Sequence, residues 1–244
     1  IQDSSKLLLS SSASLYIRGG DALTLDASTF DINSSLANIG VSAGVNLKVN
    51  DNSIVTIENS STLYVYNYLV IQGGSSFTSS SSNISVSGLQ LNSPGTLNLG
   101  HATTFVVTGK SGNNNISDKL NISGGSTATI AGYTPISGAT INVTDTNSSL
   151  AFSGQTDISN STINVSNGGI VTFNNATSFR SVVINVSSGG SVIFKNVNGY
   201  NASGISGIVN GSQSSVTFSV LSQNGSLHTN LTSQNGGVIS VTYP

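Results

Sequence analysis

Apolar residues recur along this chain in short alternating runs, and the runs recur in turn. Ala139-Thr-Ile-Asn-Val143, Ser161-Thr-Ile-Asn-Val165 and Val182-Val-Ile-Asn-Val186 are near copies, with Ile141, Ile163 and Ile184 standing 22 and then 21 positions apart. Leu120-Asn-Ile122 extends the series backwards and Ile205-Ser-Gly207 extends it forwards. A second run follows each first: Thr127-Ala-Thr-Ile130, Ser149-Leu-Ala-Phe152, Ile170-Val-Thr-Phe173, Ser191-Val-Ile-Phe194 and Ser215-Val-Thr-Phe218. A third apolar position, at Ile136, Ile158, Phe179 and Tyr200, keeps intervals of 22, 21 and 21. Three columns sharing one period mark an internal repeat.

Each run alternates with period two and is rich in Ile, Val, Thr and Phe, which predicts strands. Between the first and second runs lie Gly124-Gly125, Asn147-Ser148, Gly168-Gly169 and Gly189-Gly190. Gly accepts positive φ without steric cost, so these pairs predict a repeated corner. About 21 residues of mostly extended chain span roughly 70 Å at about 3.3 Å per residue. That length closes one turn of a solenoid whose successive turns stack about 4.8 Å apart. The expected fold is all-β, a single-stranded right-handed parallel β-helix (β-solenoid) of about ten coils with about 21–22 residues each. A β-sandwich also has many short strands, but it offers no reason for so strict a period.

The N-terminal half keeps the pattern less strictly. Leu23-Thr-Leu25, Leu47-Lys-Val49, Leu69-Val-Ile71 and Leu89-Gln-Leu91 recur at intervals of 24, 22 and 20. Leu97-Asn-Leu99 resembles a second-run strand like Thr127-Ala-Thr-Ile130. Residues 109–118 between them exceed the period and are expected as a loop inserted in one coil. The whole of 1–244 is expected to form one domain, with 1–22 as an N-terminal cap.

Composition changes this picture little. Ser, Thr, Asn and Gly make up about half of the chain, while 36% of residues are hydrophobic and only 7% are charged. Disorder pairs low hydrophobicity with high net charge, and the net charge here is only −2. In a solenoid, a charged position repeated on every coil places like charges about 4.8 Å apart, costing on the order of 1 kcal/mol per pair even in water. Neutral Asn, Ser and Thr avoid that cost and hydrogen-bond along the column. No apolar run approaches the roughly 20 residues of a membrane-spanning helix; the longest are Lys6 to Leu9 and Leu63 to Ile71, the latter interrupted by Asn67. Seven scattered basic residues leave no electrostatic footprint for nucleic acid. The absence of Cys excludes disulfides and thiolate metal sites. The chain starts at Ile1 without a signal-peptide pattern, as expected of a processed or excerpted polypeptide.

Fifteen Asn-X-Ser/Thr sequons occur, at Asn33, Asn59, Asn83, Asn115, Asn121, Asn142, Asn147, Asn160, Asn164, Asn175, Asn185, Asn201, Asn210, Asn224 and Asn230. Shuffling the composition yields roughly eight, so a glycosylated surface protein is expected. Asn121, Asn142, Asn164 and Asn185 should share one outward column, where sugars on neighbouring coils would be about 5 Å apart. Turn and loop sites such as Asn115, Asn147, Asn175, Asn201 and Asn224 offer more room.

Candidate chemistry is sparse. Glycoside hydrolysis needs two carboxylates flanking the bond; no close pair recurs one coil apart with a basic residue beside it, and Asp145 and Asp157, in one coil, are twelve residues apart and could face different sides. His101 and His228 lack acidic neighbours in sequence. Asp21, Asp26 and Asp31 carry calcium-type oxygen ligands, but their spacing matches neither known calcium loop. Thr127 and Thr129 form the one clear Thr-X-Thr pair, too little for an ice-binding face. Tyr64, Tyr66 and Tyr68 alternate, so period two places all three on one face, as an aromatic cap or a contact for glycans or a second subunit. No catalytic, cofactor or metal residue is assigned, and no cofactor is expected.

The repeat ending in Gly189-Gly-Ser-Val-Ile-Phe-Lys-Asn196 resembles the coils of extracellular right-handed β-helix proteins, including bacterial adhesin passengers. The sequon-dense, Ser/Thr/Asn-rich and cysteine-free character resembles archaeal surface-layer or extracellular-filament proteins. The repeat resemblance covers most of Leu120 to Pro244 and implies a fold and an extracellular, cell-surface location, with no catalytic residue to carry over. The expected function is a non-enzymatic structural subunit that self-associates into a surface layer or filament and is N-glycosylated. The alternative is an adhesin or carbohydrate-binding β-helix module, and a polysaccharide lyase or hydrolase comes third.

Overall fold

The computed structural model describes residues 1–18, 22–40, 44–110, 112–197, 204–220 and 229–243. Among them the chain winds as a parallel β-solenoid of about ten turns, with about 22 residues per coil. The strands form one sheet of 11 and one of 15. The first face runs from Lys6–Leu9 at one end to Asn230–Gln234 at the other. The second runs from Ser14–Ile17 to Val238–Thr242. A third face starts at Ala22–Asp26 and Asn46–Asn50 and merges with the second, because strands such as Thr62–Ile71, Asn83–Leu91 and Ser149–Ser159 continue round the corner. No helix among the described residues is long and apolar enough to cross a membrane.

Register follows the repeat. Leu120, Ile141, Ile163 and Ile184 lie over one another on the first face, with Ile122, Val143, Val165 and Val186 as a second inward column. Ile130, Phe152, Phe173, Phe194 and Phe218 align on the second face. Ile136, Ile158 and Phe179 align on the third, as do Leu23, Leu47, Leu69 and Leu89 nearer the N-terminus. These side chains join one buried cluster that extends along the stack from Leu9 to Val220. Phe152, Phe173, Phe194 and Phe218 stack at centroid separations of 4.9, 5.0 and 5.0 Å, with ring planes within 8° of parallel. The coil spacing itself brings the rings to that distance.

Corners use left-handed residues, as the sequence implies. Gly124, Asn147, Gly168 and Gly189 have φ of 60°, 68°, 83° and 80°. Beside the corners lie buried serines and threonines that hydrophobic patterning does not reveal. Ser53 Oγ accepts the Ser28 N–H at 3.0 Å, and Ser75 Oγ accepts the Ser53 N–H at 3.1 Å. At the next corner Ser61 Oγ accepts from Ser35 N–H and Ser126 Oγ from Thr103 N–H. A backbone that turns away from its sheet loses a ladder partner, and a buried N–H left unpaired costs about 1–3 kcal/mol. The hydroxyl of the following coil supplies the missing acceptor.

Several expectations need correction. Leu97-Asn-Leu99 lies on the first face, with Leu97 one coil below Leu120 in the Ile141 column, and is not a second-face strand. Ile205 pairs with Val182, so Gly207 occupies the Ile184 column and this coil is two residues longer than extrapolated. Gly207 has φ 138°, and an added Cβ would meet the Ile184 carbonyl oxygen at 1.8 Å, so a glycine belongs there. The surplus segment does not loop out throughout 109–118: Asn115–Ile116 returns to the stack, pairing with Gln90–Leu91 and with Ile136. Residues 1–22, expected as a cap, carry two regular strands paired to Thr29–Asn33 and Leu36–Ile39. Asp21, Tyr200, Asn201, Asn224 and His228 lie outside the described residues.

Candidate functional site

The tyrosine-bearing strand, Thr62–Ile71, points Leu63, Val65, Leu69 and Ile71 into the core. Its outward residues include Tyr64 and Tyr66, which remain 41% and 45% exposed. The three tyrosines do not share one face. Val65 pairs with Val86 and Tyr68 with Gly88, so Tyr66 and Asn67 stand opposite the single residue Ser87. Such a bulge bends the strand and re-aims its side chains. Here it coincides with the corner between the second and third faces. Tyr68, past the bend, lies over Gly88, where a Cβ would come within 2.4 Å of its ring, and its hydroxyl approaches Gly112. Tyr64 and Tyr66, before and at the bend, keep their rings 6.5 Å apart and tilted by 40°.

These two rings wall a groove of about 600 Å³ that is also lined by Gly44, Asn67, Ser85, Ser87, Thr108 and Lys110. A second depression of about 330 Å³ shares Tyr64 and Ser85 and adds Thr62, Asn83, Thr104 and Val106. The walls therefore come from four successive coils. Two parallel strands place Ser85 beside Tyr64, and Thr108 and Lys110 follow the next coil's strand Thr104–Val107. Sequence reading isolates the tyrosines but not their partners, which stand about twenty or forty positions away.

The sequon asparagines divide by hydrogen bonding. Asn121, Asn142, Asn164 and Asn185 form an amide ladder in which each Nδ2 donates to the Oδ1 one coil below, starting from Asn98, at 2.8, 2.7, 2.8 and 3.0 Å. Asn33 donates to Glu58, Asn59 to Asn33, Asn115 to Asn92 and Asn175 to the Ser153 carbonyl. Asn210 accepts from Asn235. The side chains of Asn83, Asn147, Asn160 and Asn230 are exposed and make no hydrogen bond among the described residues.

The acids serve the stack. Asp145 sits at a corner and accepts the Gly124 N–H at 3.0 Å, while Asp157 lies on the third face and accepts from Tyr133 Oη at 2.6 Å and Ser178 Oγ at 2.9 Å. The Asp157 carboxylate pushes the Tyr133 hydroxyl above its ordinary value by holding its proton, with partial burial adding to the effect. Asp31 pairs with Lys6 at 2.6 Å, and Asp118 accepts the Gly95 N–H at 2.8 Å. Asp26 faces Asp51 and Asp3; a hydrogen bond with Asp51 raises its carboxyl above the usual range, and burial and both neighbouring charges add to the rise. His101 is exposed in a corner turn, where its carbonyl accepts from Ser81. Among the described residues no three His, Asp or Glu side chains are grouped to hold a metal ion. No protein-family model, curated protein or solved structure matches the chain.

Proposed function

We propose that the chain is a non-enzymatic, extracellular structural module, a stiff and N-glycosylated segment that self-assembles into a surface layer or filament. The observation that carries this reading is the continuous asparagine ladder from Asn98 to Asn185 on the first face. Most of the acids and amides described above hold one coil to the next, which is chemistry directed at a rod and not at a substrate. Such a rod suits a spacer or lattice element.

Assembly draws on the terminal coils. Among the described residues the first and last coils each pair on one side, and Leu8 in the first and Val238 and Tyr243 in the last are exposed. Unpaired strand edges are templates for a further strand, which a coil of the same or a second polypeptide supplies. Light scattering over a concentration series, followed by electron microscopy, tests the reading: the expected outcome is concentration-dependent growth into linear or lattice particles. A chain that stays monomeric at the highest concentration reached counts against assembly.

A further inference from the structure

The geometry points to the tyrosine groove as a binding site for an oligosaccharide of pyranose sugars. A pyranose presents C–H bonds on its flat sides and hydroxyls around its rim. Tyr64 and Tyr66 offer the electron-rich faces that attract C–H groups. Ser85, Ser87, Thr108 and the Asn67 amide supply donors and acceptors for the rim. Ligand sites combine an apolar platform with a few placed polar groups, and this groove has both.

Other occupants fit less well. Among the described residues Lys110 is the one charged residue of the lining, too little for a nucleic-acid backbone, which is held by several cations. An apolar peptide would bury the serine and threonine hydroxyls without partners, at a desolvation cost. A sugar satisfies the hydroxyls and the rings together. The platform is also pre-formed, since Tyr64 is held in the ladder between Asn38 and Ser85, so little ordering entropy opposes binding.

The test uses the full chain made in a host without N-glycosylation, because the sequon residue Asn83 lines the adjoining depression. Trisaccharides of glucose, mannose, galactose, N-acetylglucosamine and galacturonate are titrated to concentrations on the order of 10 mM, above the millimolar dissociation constants of weak ligands. Binding is read by calorimetry and amide chemical shifts. At least one sugar should bind. Tyr66→Ala should weaken that binding about two- to twelvefold, the range of a lost stacking contact. Tyr66→Phe should retain it, and Tyr16→Ala, exposed elsewhere on the second face, should leave it unchanged. Circular dichroism and thermal melting establish that each variant remains folded. Failure of every sugar to bind overturns the inference, and so does binding that survives the Tyr64→Ala, Tyr66→Ala double variant.

Discussion

Single residues in this solenoid act through the copies above and below them. Phe173 is fully buried between Phe152 and Phe194, with rings 4.9 and 5.0 Å away. Its neighbours are fixed by the coil spacing and cannot close the gap, so Phe173→Ala should cost about 3–5 kcal/mol, measured by urea unfolding. Asp26 gives the opposite sign. Its carboxyl is raised because Asp51 hydrogen-bonds to its protonated form and Asp51 and Asp3 repel its charge, while the Ile1 ammonium opposes the rise. The folded chain therefore holds this proton more tightly than the unfolded one. That stabilisation is complete below the ordinary value of 3.8 and is lost as pH rises through the raised folded value. Asp26→Asn keeps a hydrogen-bonding group without the charge. Its melting temperature should exceed the parent's at pH 7, and the difference should vanish well below the ordinary Asp value. An equal increment at both pH values would mean that charge repulsion is not its source.

At the scale of the strand and the column, the amide ladder sets which sequons accept a sugar. Asn121, Asn142, Asn164 and Asn185 each donate through the Nδ2 atom that glycosylation would modify, and they stack one coil apart. Asn83, Asn147, Asn160 and Asn230 are exposed and outside that ladder. When the chain is produced in a glycosylating host, peptide mass spectrometry should find occupancy concentrated on the second group. Dense occupancy of the ladder in folded, secreted protein would contradict it. The Ile and Phe columns were legible beforehand because every coil meets the same inward environment and repeats the same answer. The corner serines were not, since Ser53, Ser75 and Ser126 look like ordinary turn residues until their buried hydroxyls meet a backbone N–H one coil away. The tyrosine row misled for a related reason: strict alternation assumes a straight strand, and the bulge opposite Ser87 bends this one.

Taken whole, the molecule is a stack of about ten turns, roughly 48 Å long at about 4.8 Å per turn. Its stability accumulates by neighbour contacts between coils, so added length costs little. What the sequence determined by itself was the winding: hydrophobic period, β-branched runs and Gly-rich corners admit few other ways to bury three repeated columns. The tertiary structure decided where the period slips, as at Gly207, and which distant residues meet, as where Tyr64, Ser85 and Thr108 wall one groove. The physical reason is that burial is a property of each position and repeats with it. A surface site instead joins residues one and two coils apart, and a change of one residue in coil length or one bulge re-sorts those neighbours.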